Sequence, residues 1–126
     1  MNNIILASQS EVRKKILQDN GIKCFSEPSK VDEDTVKESL LKEGSNPEFI
    51  SKNLAELKAN KISAKFPDKI VIGADSVIDL NGNIISKPKD RDEALDILKK
   101  LNGKKHYLIS SVCISRNGGM IWNHTD

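Results

Sequence analysis

Cysteine is scarce in this 126-residue chain: Cys24 and Cys113 lie far apart, and neither belongs to a CxxC or Cys/His ligand pattern. That leaves no ground for a disulfide scaffold or a zinc site and points to reduced thiols. Aromatic residues make up only 4%, so the core has to rest on Ile, Leu and Val. Charge of one sign is also lacking. Twenty basic residues face eighteen acidic ones for a net charge of +2, interleaved rather than gathered in blocks, which argues against nucleic acid as a partner. No apolar run approaches a membrane span, so no membrane association is expected. The first residues carry no basic leader, and the apolar stretch Ile4-Ile5-Leu6-Ala7 is too short for a signal peptide; a soluble, cytoplasmic protein is the expectation. Neither GxxxxGK[ST] nor GxGxxG occurs, so both standard nucleotide fingerprints are missing. His106 and His124 have no partner at ligand spacing and receive no role.

What is present reads as one α/β domain or a piece of one, since the length fits a single unit of about 100–200 residues. Ile4-Ile5-Leu6-Ala7 is a short buried strand, Ser10 caps a helix with Val12, Ile16 and Leu17 on one apolar face, and Asn20-Gly21 stops it. Around Lys23-Cys24-Phe25 the chain is extended. Thr35 and Glu38 have capping-box spacing ahead of Leu40 and Leu41, and Gly44 closes that helix. Asn46 and Pro47 start a longer helix with Ile50, Leu54, Leu57 and Ile62 as its apolar positions, ending near Phe66-Pro67. The β-branched run Lys69 to Ile78 leads through the Asn81-Gly82 hairpin signal to a return strand at Ile84-Ile85-Ser86. Asp90 and Glu93 box a further helix that should bury Ala94, Ile97, Leu98 and Leu101 and stop at Gly103. Tyr107 to Trp122 alternates as a second hairpin turning at Asn117-Gly118-Gly119. Hairpins require antiparallel pairs, so the economical picture is a mixed sheet covered by helices.

A few residues break these patterns. Asp75 interrupts a run of Val and Ile, and two readings stand side by side: it caps a strand end beside a bulge at Gly73 or pairs with a structural Arg, or it is held at the mouth of the sheet as metal ligand or general base. Lys58 has Leu54 and Ile62 four residues away on either side, so its ammonium either snorkels out of an apolar stripe or is directed into a cleft to meet an anion. Arg13 lies in a first helical turn beside Ser8 and Ser10, where backbone N–H groups and the helix dipole favour phosphate; the plainer reading is surface decoration. Lys87, held extended before Pro88, either points the same way as Asp75 or is an exposed hairpin lysine. Glu33 is either helix N-terminal decoration or a recruiter of divalent metal. Together they amount to carboxylates for a metal and cations for phosphate, the electrostatic requirement for attack on a phosphoanhydride.

The motifs Ile5-Leu6-Ala7-Ser8-Gln9-Ser10 with Arg13, Val31-Asp32-Glu33, Leu54-Ala55 with Lys58-Ala59, Ile72-Gly73-Ala74-Asp75-Ser76-Val77, Ser86-Lys87-Pro88 and Leu101-Asn102-Gly103 with His106 occur in one order. In that order and spacing the chain resembles the Maf family of nucleoside triphosphate pyrophosphatases over nearly its whole length. The resemblance implies an elongated mixed sheet flanked by helices around a central cleft, similar to the inosine triphosphatase fold. It implies house-cleaning hydrolysis of a nucleoside triphosphate, pyrimidine or modified, to the monophosphate and pyrophosphate with Mg²⁺ or Mn²⁺. By position, Asp75 resembles the family's proton acceptor and, with Glu33, its metal ligand. Ser8, Arg13, Lys58, Ser76 and Lys87 fall on substrate-binding positions, with Lys58, Lys87 and Arg13 facing the departing pyrophosphate.

The sequence departs from the family pattern in three places. Glu11-Val12-Arg13 stands where the family usually has Pro-Arg-Arg, so an arginine linked with substrate choice is replaced by Val12. Ser76 stands where the pyrimidine-specific branch has Thr. The chain is expected to lack the C-terminal part of the family's second lobe, which would leave apolar surface uncovered and favour a homodimer. A rival reading follows: a catalytically impaired nucleotide-binding protein or fragment with an interaction role in restraining cell division.

Overall fold

In the computed structural model, which describes residues 4–81, 83–85 and 90–126, helix ends fall where side chains can cap them. Strand β1 (Ile4–Leu6) leads into α1 (Glu11–Asp19), capped by Ser10, whose Oγ accepts from the Arg13 N–H at 3.2 Å. After β2 (Phe25–Ser26), helix α2 (Glu33–Lys42) begins one turn earlier than the Thr35/Glu38 spacing predicts. Asp32 is the cap: its carboxylate takes both the N–H and the hydroxyl of Thr35, which holds its pKa below the usual carboxylate value. Helix α3 (Pro47–Lys65) starts as expected, with Asn46 Oδ1 accepting from the Phe49 N–H at 2.8 Å and Pro47 in the first turn. We expect Asn46→Ala to lower stability by about 1 kcal/mol, read as a reduced denaturation midpoint with an unchanged m-value.

Strands β3 (Ile70–Leu80) and β4 (Asn83–Ile85) form the expected hairpin, with Asn81 at φ 52°. Gly82 and Ser86 of that prediction lie outside the described residues. Helix α4 (Arg91–Leu101) is capped by Asp90, and β5 (Tyr107–Arg116) and β6 (Gly119–Thr125) turn through Asn117 and Gly118, both at positive φ as a two-residue hairpin turn requires. The sheet order is β2-β1-β3-β5-β6, with β4 on β3. β1 runs parallel to β2 and β3, and the other pairs are antiparallel, so the sheet is mixed as expected.

Helix α3 lies across the inner face of β3 and β5. Ile5, Ala7, Ala55, Ala59, Ile62, Val71 and Cys113 form one buried cluster, and Ile50, Leu54, Val77 and Ile109 a second. Burying each of the larger side chains contributes about 1.5–3 kcal/mol, which makes α3 the main anchor of the fold. Leu57, predicted to share this face, is instead 39% exposed. The apolar faces predicted for α1 and α4 are not buried either: neither helix has a buried residue, and Val12, Ile16 and Leu98 are exposed. Periodicity marks an apolar stripe on a helix but not whether anything covers it. Gly73 does not mark a bulge. It pairs in register with Cys113, and the irregularity lies instead between Ile114 and Ser115 on the β5/β6 side.

Candidate functional site

The site arises from unequal strand lengths. β5 pairs with β3 from Val71 to Asp79 along one edge. A strand has only two edges, so β1 and β4 share the other, where β1 reaches only to Ile72 and β4 resumes only at Ile78. Across Gly73–Val77 that edge has no strand partner among the described residues, and side chains take the Ala74 carbonyl there instead. Arg13 Nη1 donates to the Ala74 carbonyl at 3.4 Å, and Lys58 Nζ donates to the same oxygen at 3.4 Å.

Asp75 alternates inward with Val71, Gly73 and Val77, facing α3, and is 3% exposed. Its Oδ1 accepts from Lys58 Nζ at 3.2 Å, while its Oδ2 has no hydrogen-bond partner among the described residues. Lys58 also forms an ion pair with Glu33 Oε1, so one ammonium lies between two carboxylates drawn from α2 and β3. Burial pushes the Asp75 carboxyl above its ordinary pKa, the attraction of Lys58 offsetting only part of that effect. The Ser51 hydroxyl, fully buried on α3, donates to the Asp75 backbone carbonyl at 3.0 Å and fixes the strand against the helix.

Beside this ion network a polar cavity of about 410 Å³ is lined by Ser8, Ser10, Arg13, Ser29, Glu33 and Lys58, among others. Ser8 Oγ accepts from the Ser10 N–H at 3.0 Å and Ser10 caps α1, so the positive end of a helix and the Arg13 guanidinium face the same hollow. The structure thus brings Ser8, Arg13, Glu33, Lys58 and Asp75 together. It does not bring in the Ser76 side chain, which points to the opposite face of β3 and hydrogen-bonds Ser110 Oγ at 2.8 Å. Lys87 lies outside the described residues. Sequence reasoning missed Ser51, which carried no signal, and Lys37, which is 7% exposed one helical turn after Glu33. Cys113 is no nucleophile here: burial raises its thiol pKa to about 11.

The family model described as Maf-like protein matches residues 3–126. The chain belongs to the Maf-like family. A nucleoside triphosphate pyrophosphatase of Pelagibacter ubique is 71% identical over the whole chain, and one of a Ruegeria species is 43% identical over 97% of it. A 7-methyl-GTP pyrophosphatase of Rhizobium etli is 36% identical over 96%. The chain spans 65%, 61% and 61% of the lengths of these three relatives. Among solved structures, the Staphylococcus aureus Ham1 protein superposes on 97% of the chain, and 66% of its own, with a TM-score of 0.57 at 14% identity. A nucleoside-triphosphatase, or dITP/XTP pyrophosphatase, of Mycobacterium abscessus covers 97% of the chain and 70% of its own with a TM-score of 0.55, also at 14% identity. At that identity the likeness is one of fold, and it agrees with the inosine triphosphatase-like architecture expected for the Maf-like chain. No described helix is long and apolar enough to cross a membrane.

Proposed function

We propose that this Maf-like chain hydrolyses a nucleoside triphosphate to the monophosphate and pyrophosphate, with Asp75 as proton acceptor. The observation that carries the reading is the Oδ2 of buried Asp75, unpartnered among the described residues, beside a lysine shared with Glu33 and next to a cavity with a cationic, helix-terminal wall. A buried carboxylate oxygen left without a partner costs stability, and such groups mark functional sites. Water attacks the α-phosphorus, its proton passes to Asp75 Oδ2, and the bond to the bridging oxygen of the β-phosphate breaks to release pyrophosphate. Arg13 and Lys58 face the phosphate charge, and the α1 N-terminus adds its N–H groups.

The oxygen donors of Glu33 and Asp75 suit Mg²⁺ or Mn²⁺. Among the described residues no group of three or more His, Cys, Asp or Glu gathers to hold an ion, so the pair fits a metal completed by phosphate oxygens, as Mg²⁺ is commonly held. When bound, such an ion neutralises triphosphate charge and polarises the phosphoryl oxygen. The names of the relatives at 71% and 43% identity support the reaction class.

The test is a panel of UTP, dTTP, ATP and 7-methyl-GTP with Mn²⁺, assayed for pyrophosphate. Release from at least one of them is expected. Nucleotide binding by calorimetry without release would instead support the rival, a Maf-like nucleotide-binding protein without turnover.

A further inference from the structure

A serine inside a helix ordinarily turns its hydroxyl back to its own helix or out to water. Ser63 of α3 does the former: it is fully buried, donates to the Asn60 carbonyl at 3.1 Å and accepts the Gly118 N–H at 2.9 Å. Ser51, earlier on the same helix and equally buried, turns to the sheet instead. Its hydroxyl lies 3.0 Å from the Asp75 carbonyl oxygen and 3.5 Å from that of Ile109 on β5. The Asp75 carbonyl is also a rung of the β3–β5 ladder. Ser110 exchanges both of its backbone bonds with Asp126, so the N–H and C=O of the next residue, Ser111, turn to β3, where its partner is Asp75. One carbonyl thus takes a strand N–H and a helix hydroxyl, and the peptide plane leaving the Asp75 Cα is held from two elements.

Lys58 holds the other end of the same residue. It lies about two helical turns after Ser51, and therefore on the same face of α3, and its Nζ bonds Asp75 Oδ1 at 3.2 Å. The two holds differ in kind. An ammonium on a flexible lysine stem follows a carboxylate that drifts, whereas a hydroxyl one carbon from its helix cannot. We propose that Ser51 is a positioning residue for the hydrolysis: by clamping the Asp75 carbonyl to α3 it sets where the carboxylate stands relative to the attacking water, without touching the nucleotide. This rests on Asp75 being the proton acceptor.

Steady-state pyrophosphate release from whichever nucleotide of the panel the parent turns over best tests this, each variant being assayed well below its own melting midpoint by circular dichroism. Ser51→Ala is expected to lose about tenfold in kcat, less than the roughly 10²-fold that a 1 Å misplacement can cost, because the ladder bond remains. Its KM, and its affinity for inorganic tripolyphosphate by calorimetry, should stay within about twofold of the parent, since only the chemical step is touched. Ser63→Ala removes an equally buried hydroxyl from the same helix and shows what a purely structural serine does: a lower melting temperature, with kcat within about twofold of the parent. If Ser51→Ala does not fold, Ser51→Cys decides, because its thiol is a weak donor of similar size and should lose at least about threefold in kcat. Turnover equal to the parent's in the Ser51 variant, a loss carried by KM, or an equal loss of kcat in Ser63→Ala would overturn the proposal while leaving the pyrophosphatase reading intact. A parent chain that releases no pyrophosphate from any nucleotide of the panel overturns both.

Discussion

Asp75→Asn should release pyrophosphate about 10²–10⁴-fold more slowly than the parent, the usual contribution of a positioned proton acceptor, and should melt at a higher temperature at pH 7. The two effects have one cause. Desolvation is the largest influence on the Asp75 carboxyl and raises its pKa above the ordinary 3.8 in spite of the Lys58 ion pair. The folded protein therefore keeps this proton to higher pH than the unfolded chain does. The contribution of Asp75 to stability is greatest below the unfolded pKa, declines as pH rises toward the elevated folded value, and is constant above it. Asparagine mimics the protonated form, so the variant lacks this decline, and Lys58 is not orphaned because Glu33 still holds it. The acidic limb of the parent's rate profile should likewise lie above the ordinary carboxylate range, since the acceptor works only when ionised. Equal turnover by parent and variant, or a variant that melts lower at pH 7, would remove Asp75 from the role assigned to it.

The helix starts were legible because a cap is a local event: Ser10, Asn46 and Asp90 each accept an N–H three residues on. The start of α2 was misread by a turn because Asp32 and Thr35 can both cap, and the choice is made by the hydroxyl and N–H of Thr35 closing on the Asp32 carboxylate. Lys58 and Asp75 stood out because each breaks an apolar pattern. Lys37 does not, since α2 reads as mostly polar; only its spacing from Glu33 could have pointed to it. Ser76 was misplaced because side chains one residue apart on a strand face opposite ways, so adjacency to Asp75 in sequence separates the two in space. The unpaired edge of β3 was invisible for a different reason: it depends on where β1 stops relative to β4, a relation between segments about eighty residues apart at most that no local pattern encodes.

Gly73→Ala should be among the most destabilising single-methyl additions available to this chain. A Cβ at Gly73 would lie 2.8 Å from both the Ala59 Cβ and the Ala59 N and closer still to the Ala55 carbonyl oxygen, all on α3. Two of these atoms are backbone, so no side-chain rotation relieves the overlap, and the helix must lift from the strand. Alanine restricts the unfolded chain and so favours folding by about 0.4–1 kcal/mol, whereas overpacking a rigid contact costs about 1–3 kcal/mol and occasionally more; the second effect wins. Because α3 carries Lys58 one residue before Ala59, lifting it also draws the ammonium from Asp75 two residues along β3, and tripolyphosphate affinity should fall with the melting temperature. Gly119→Ala is the control, with no heavy atom within 4 Å of its added Cβ, and should change stability by no more than about 0.5 kcal/mol. Adding Ala59→Gly to Gly73→Ala removes one clashing methyl but leaves the Ala55 oxygen and the Ala59 N in place, so rescue should be only partial. Full recovery in that double variant, or a Gly73→Ala chain as stable as the Gly119→Ala control, would show that α3 is not held to β3 by this close approach.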